Sequence, residues 1–498
     1  MKHNLKNRLI ALLLLSALIL PSCAADTPDI EYENEGEAAK VEETTPETTL
    51  EDVYPLPTVN YDGKSYDMLV LRTGYWGQDY NDLYLAEDDI GDTVGSAAYQ
   101  RALTLEEKFG MKFVQTESVD AAGQAYNLYS SGDDTYELIH EQAVRLMPTL
   151  GSNGALNDIN TMPGMTLDAP WYNQKMNNSS SILGKLYMIG GDAISTDKNG
   201  IFAMLYNKQM AVNFGIPDLY ETVSSGKWTV DLLREYGEMV TNDENGDGVL
   251  KKEDDRFGLV TEPFFGWFLM VAAGHTSALK DENDVPYFTA GSEAAVDAII
   301  KMQEIMYNPQ IRPDATPTEA DYSIMFDTGR ALFLSSGMST FGTFRDVETD
   351  FGIIPIPKYD EAQKEYYSTF SPFGSRFVGF PLQNADVEFM GTVFELLSRY
   401  GTDTVKTAYY DVLLSGKVAR DQKSTEMLDI IFDNMIHDIG ATYNWGNVWF
   451  SYNDHFATKS ENWASMWQRI SKPANMALEK TLKQIRSNSG EETDEAAE

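Results

Sequence analysis

The chain has 498 residues, with 38 Lys and Arg against 77 Asp and Glu, for a formal charge of −39. That balance excludes nucleic acid as a partner, since holding a phosphate backbone needs basic surface, and it works against adhesion to anionic lipid. The single cysteine excludes an intramolecular disulfide and a cysteine-based zinc site.

The first elements are not part of a globular fold. Residues 1–8 carry Lys2, Lys6 and Arg8 and no acid, and residues 9–20 are apolar apart from Ser16. A basic flank before a short apolar run reads as a secretory signal. Crossing the hydrocarbon would take roughly 20 apolar residues, and this run stops at Pro21. The following Leu20-Pro21-Ser22-Cys23 resembles the bacterial lipobox, in which a lipidated cysteine becomes the mature N-terminus. Residues 1–22 are therefore expected to be a lipoprotein signal peptide, with Cys23 the membrane anchor of an extracytoplasmic protein. Between residues 24 and 52 there are eleven acids and one lysine. Residues 23–61 accordingly read as a solvated, self-repelling tether, and 488–498 as a second disordered acidic tail.

The intervening region alternates strand and helix signals, which indicates α/β layers. Residues 66–72 (YDMLVLR) form a short apolar run suited to a buried strand. A helix is expected over 97–109, then strands at 111–115 and 137–140. Residues 228–240 predict a helix capped by Thr229, with Asp231 in its first turn and Leu232, Leu233, Tyr236, Met239 and Val240 on one face. Residues 292–306 repeat that pattern with Val296, Ile299, Ile300 and Met306. Residues 257–261 predict a further strand.

Several segments resemble, in order, extracellular solute-binding protein family 1, the sugar-binding lipoproteins of ABC importers. They are Tyr99-Gln100-Arg101 with the turn Glu106 to Gly110, GIFAMLYNKQMAVNFG from Gly200 to Gly215, and Gly226-Lys227-Trp228-Thr229. Further along come MFDTGRALF from Met325 to Phe333, read as a helix, and FGIIPIPK from Phe351 to Lys358, read as a strand. Tyr409-Tyr410-Asp411, Lys417, Arg420-Asp421 and Met427-Leu428-Asp429 resemble a gut-type branch. The resemblance implies a two-lobed, type II periplasmic-binding-protein-like fold, each lobe a mixed sheet flanked by helices, with ligand in the cleft between them. It places 62–193 and 373–402 in one lobe and 194–372 and 403–487 in the other. It also implies a monomer that hands a carbohydrate, as an oligosaccharide, to an ABC permease.

Asp243, Asn245, Asp247, the Val249 carbonyl and Asp254 occupy positions one, three, five, seven and twelve of a D-x-[DN]-x-[DN]-G loop. Hard oxygens at that spacing suit a structural Ca2+, with Gly248 allowing the sharp turn. Lys251 at position nine is unhelpful, and an ion-free Asn-Gly/Asp-Gly turn is the competing assignment.

Sugars offer C–H faces and hydroxyls, so their clefts use aromatic platforms and a few polar groups. The candidates are Trp76, Asp79 and Asp82 after the first strand, Glu262, Phe265 and Trp267 after the 257–261 strand, Arg376, and Tyr443, Trp445 and Trp449. Trp171 and Tyr172 form a further pair. At each aromatic position core packing competes with this role; Trp228 is assigned to packing outright, and Trp463 and Trp467 to a shared helical face. A surface glycosidase and a lipoprotein binding peptide or another non-sugar ligand stand as alternatives. Against an enzyme, the five histidines show no metal spacing, and no Gly-x-Ser-x-Gly or phosphate-binding loop occurs.

Overall fold

The computed structural model describes residues 53–72, 82–83, 93–314, 319–342, 344, 347, 349–414, 422–460 and 462–488. Trp76 and Asp79, like Cys23, Lys417, Arg420 and Asp421, lie outside the described residues.

The first sheet starts with β1 (Lys64–Leu71), flanked by two parallel neighbours, β2 (Met111–Ser118) and β3 (Leu138–Gln142). Parallel neighbours require a crossover. Helices Thr93–Phe109 and Ala121–Ser131 supply the two, the second capped by the Asp120 carboxylate on Gly123 N–H. Met68 to Leu71 are buried, as expected for a strand with helices on both faces of its sheet.

The second sheet contains β4 (Phe202–Asn207), β5 (Phe257–Thr261), β8 (Ala331–Gly337) and β9 (Phe351–Ile354), in the order β5-β8-β4-β9. Here β5 and β8 run parallel, and β4 is antiparallel to β8 and β9. A small hairpin of β6 (Ala278–Lys280) and β7 (Pro286–Phe288) stands apart. The last strand, β10 (Arg376–Gly379), returns to the first sheet antiparallel to β3, pairing Val378 with His140. The architecture is thus α/β in two lobes, each a mixed sheet flanked by helices.

The expected helices form at Val230–Val240, capped by Thr229, and Glu293–Met306, capped by Ser292. Met239 and Ile300, read as apolar-face residues, are instead 44% and 51% exposed, because each face is narrower than the run of apolar residues. Residues 325–333 do not form one helix. The helix Glu319–Asp327 stops, Gly329 turns the chain at φ +68°, and Ala331 opens β8. Trp228 is fully buried and donates its Nε1–H to the Pro355 carbonyl, a packing residue as expected.

Two antiparallel extended segments carry the chain between the sheets, bridged where Ile201 pairs with Phe370. They approach closely at Gly200 and Gly374: a Cβ on Gly200 would sit 2.7 Å from the Gly374 carbonyl carbon. Only glycine fits that backbone contact. Ser371 N–H donates to the Gly200 carbonyl (2.8 Å), and Arg376 N–H to the Thr196 carbonyl (3.2 Å).

Candidate functional site

In open α/β sheets ligands meet the carboxyl ends of the strands. In the first lobe that edge is drawn together by Arg376. Its guanidinium donates to the carbonyls of Leu71 (2.9 Å) and Arg72 (3.2 Å), fixing the chain as it leaves β1. Gln142 closes β3 and donates from Nε2 to the Phe373 carbonyl (2.5 Å). In the second lobe Glu262 follows β5 and accepts from Ser336 Oγ (2.9 Å) at the end of β8, and Ser336 also contacts Thr340 Oγ1 (3.1 Å).

Aromatic side chains from three separate segments converge beside this edge. Trp449, on the helix Val448–Ala457, packs its ring against Phe373 (4.8 Å between centroids), Phe450 (5.2 Å) and Phe264 (6.4 Å). Phe373 comes from the returning crossover, and Phe264 lies three residues beyond β5. Phe450 is 44% exposed and Trp449 only 8%, so the group is a wall with one open ring. The Trp449 Nε1–H is buried and has no hydrogen-bond acceptor among the described residues. A buried unpaired donor is costly.

Several residues expected in a cleft are elsewhere. Phe265 and Trp267 are core residues: both are buried, and Trp267 donates to Asp438 Oδ2 (3.2 Å). The helix Phe265–Ala272 is apolar on every face and therefore sinks into the lobe. Tyr443 and Trp445 stack on each other at 4.7 Å and are buried, with Trp445 Nε1 donating to Thr481 Oγ1 (3.0 Å). Arg376 is 2% exposed and donates from both Nη atoms to backbone carbonyls, so it positions the site. Of the aromatics that line the edge, Phe373, Phe264 and Phe450 were not singled out from the sequence. Their signal was position, at strand ends and one residue beyond Trp449, rather than residue type.

Asp82 is also fully buried, accepting from the N–H groups of Ser195 (2.5 Å) and Thr196 (2.7 Å) at the outgoing crossover. Burial works to raise its carboxyl, but His140 and those N–H donors outweigh it and hold it below the usual range. His140, whose Nε2 meets Thr196 Oγ1 at 3.0 Å, is pushed down to about 4, chiefly by burial. These groups brace the crossover.

The 243–255 loop folds by Asx turns. Asp243 accepts from Gly246 N–H and Gly248 N–H (both 2.7 Å), Asn245 from Asp247 N–H (2.8 Å) and Asp247 from Val249 N–H (2.8 Å). The residue expected at the twelfth position does not face the loop. Asp254 is exposed, and it is Asp255 that turns inward, accepting from Glu244 N–H (2.9 Å) and Lys251 N–H (2.7 Å). Lys251 also pairs with Asp247 at 2.6 Å, the place of a cation. Among the described residues no three acid, histidine or cysteine side chains are gathered as a metal site.

A cavity of about 250 Å³ lies against the crossovers, lined by Trp171, Tyr172, Lys198, Ile201, Lys406 and Asp433 among others. Ile201 faces it, whereas the next residue, Phe202, stacks on Phe268 at 3.8 Å on the side of the aromatic wall. Successive side chains of an extended segment point to opposite faces, so cavity and aromatic wall lie on opposite faces of this crossover.

No protein-family model matches the sequence, and no curated protein does. Solved structures share this arrangement, and two of them are maltodextrin-binding proteins by their descriptions. The maltose/maltodextrin-binding domain MalE from Bdellovibrio bacteriovorus, bound to maltotriose, is 18% identical with a TM-score of 0.50, covering 85% of this chain and 100% of its own. A cyclo/maltodextrin-binding protein complexed with maltotetraose is 13% identical with a TM-score of 0.53, over 86% and 99%. UspC of M. tuberculosis is 13% identical with a TM-score of 0.56, over 82% and 100%. At these identities the likeness establishes the fold: this chain shares the two-lobed α/β architecture of those proteins.

Proposed function

We propose that this chain is the solute-binding component of an ABC importer, capturing a carbohydrate of oligosaccharide size between its lobes and presenting it to a membrane permease. The observation that carries this is the aromatic wall of Phe264, Phe373, Trp449 and Phe450. It brings the segment after β5, the returning crossover and the helix Val448–Ala457 together, and holds one buried indole N–H with no acceptor among the described residues. Stacking rings with few polar groups is the chemistry of a sugar platform. Maltotriose and maltotetraose, held by two of the similarly folded proteins, are the first probes. Either should quench tryptophan fluorescence saturably and return unhydrolysed. A flat titration against these and other oligosaccharides, with a peptide library binding instead, would overturn the carbohydrate reading; release of shorter sugars would make the protein a glycosidase.

The proposal includes location and form. The basic–apolar segment before Cys23 supports export and lipid anchoring, with the protein acting as an extracytoplasmic monomer. Among the described residues no helix is long and apolar enough to cross a membrane.

We further propose that the 243–255 loop takes a structural Ca2+. Support comes from the Asx turns on Asp243, Asn245 and Asp247, which leave each oxygen a second lone pair for a cation. In this reading Asp255 replaces Asp254, and the ion displaces the Lys251 ammonium from Asp247.

A further inference from the structure

The cavity on the other face of the crossovers is built from both lobes. Trp171 to Lys175 come from a loop of the first lobe and the start of the helix Gln174–Ser180, and Phe432 to Met435 from the end of the helix Gln422–Asp433 and the residues after it. The two walls are tied at one side, where Asn173 Nδ2 donates to the Phe432 carbonyl (2.7 Å) and Lys175 donates to Asn434 Oδ1. The floor is polar and buried. Lys198, 8% exposed, pairs with Asp197 (2.9 Å), and Asp192, 5% exposed, accepts from Thr402 Oγ1 (2.9 Å) and pairs with Lys406 (3.4 Å).

The lining contains three lysines (175, 198 and 406) and three aspartates (192, 197 and 433). Its net charge is therefore zero, so neither an anion nor a cation is favoured by Coulomb attraction as a whole. What the lining does offer is both donors and acceptors together with the rings of Trp171, Tyr172 and Phe432. Hydroxyl groups, which donate and accept at one atom, match such a lining, and the rings suit a C–H face. The volume of about 250 Å³ lies below the usual range for drug-sized ligands. We propose that this cavity is a second binding site, for a neutral polyol of monosaccharide size, separate from the aromatic wall. The proposal does not depend on what that wall binds. Because the cavity walls belong to different lobes and its base is the crossover residue Ile201, any pivot about the crossovers changes its width. A polyol held there would consequently favour one lobe arrangement.

The test uses the full chain and calorimetric titration with a panel of aldohexoses, pentoses and inositol. At least one should bind saturably. Asp433 stands exposed at the rim, so Asp433→Lys should fold normally. It should weaken that binding by about tenfold, the scale of one lost charge-assisted hydrogen bond, while Asp433→Asn, which keeps a neutral acceptor, should weaken it less. Gln174→Trp, also at the exposed rim, should block entry and decides the matter if Asp433→Lys is unstable. Trp449→Ala, on the opposite face, should leave monosaccharide binding intact. The proposal is overturned if no sugar or inositol binds, if neither rim variant weakens binding, or if Trp449→Ala abolishes it. Saturable binding of a zwitterionic amino acid in place of the polyols would overturn the ligand class.

Discussion

Replacing Trp449 by Phe separates a ligand contact from a packing contact. The indole touches Phe373, Phe264, Phe450 and Trp267, so a phenyl ring keeps most of the ring contacts. The smaller ring leaves a void worth about 1 kcal/mol at ~24 cal/mol per Å3. Against this, the variant deletes a buried N–H with no acceptor among the described residues, a group whose burial costs roughly 1–3 kcal/mol. Folding stability should therefore lie between that of wild type and a gain of about 2 kcal/mol, by urea denaturation. Affinity is expected to move differently. If a sugar hydroxyl accepts from Nε1, losing that bond removes about 0.5–1.5 kcal/mol, or roughly three- to tenfold in Kd. The assays are paired: chemical denaturation without ligand, and titration with maltotriose, maltotetraose or whichever oligosaccharide binds. A variant that loses several kcal/mol of stability while binding with unchanged affinity would refute the reasoning, since the indole would then be purely structural.

Cys23→Ser should yield an exported protein that leaves the detergent phase in partitioning; retention there would place the anchor elsewhere. Calcium at about 100 times its Kd should stabilise the fold by ~2.7 kcal/mol, read as a rise in melting temperature reversed by chelator. Asp243→Ala should abolish that response, and an unresponsive wild type would leave the loop to the Lys251–Asp247 pair. Burial pushes His437 down to about 3, with Lys280 adding to the effect. The unfolded chain, with an ordinary histidine near 6.5, then binds more protons than the native state below that pH. The native-state advantage is complete above 6.5 and is lost as pH falls toward 3. Between pH 7 and pH 5 this one group should remove about 2 kcal/mol of stability. His437→Gln, compared with wild type at both pH values, should show a shallower decline by that amount; parallel declines would mean that His437 charges without penalty in the fold.

How much of this was legible beforehand differs by element. β1 and β5 were visible as apolar runs because strands with helices over both sheet faces have no polar side to disguise them. The helices Val230–Val240 and Glu293–Met306 announced themselves through Thr229 and Ser292, whose side chains do cap the first turn. The break after Asp327 was hidden, since MFDTGRALF is apolar enough to continue a helix and Gly329 alone marks the turn.

Residue type determined the alternation of strand and helix and the Asx-turn loop, because each is local chemistry read along the chain. It could not decide which aromatics meet. Trp267 and Trp449 look equally suited to a cleft, yet one lies on a helix that is apolar all round and sinks into the core. The other stands beside Phe373, separated from it by 76 positions but brought within 4.8 Å by the returning crossover. The same holds for Asp255 over Asp254, where the direction of one turn chose the inward carboxylate. Partners that far apart are set by sheet order and by how closely Gly200 and Gly374 let the two crossovers approach, and those are properties of the packed chain.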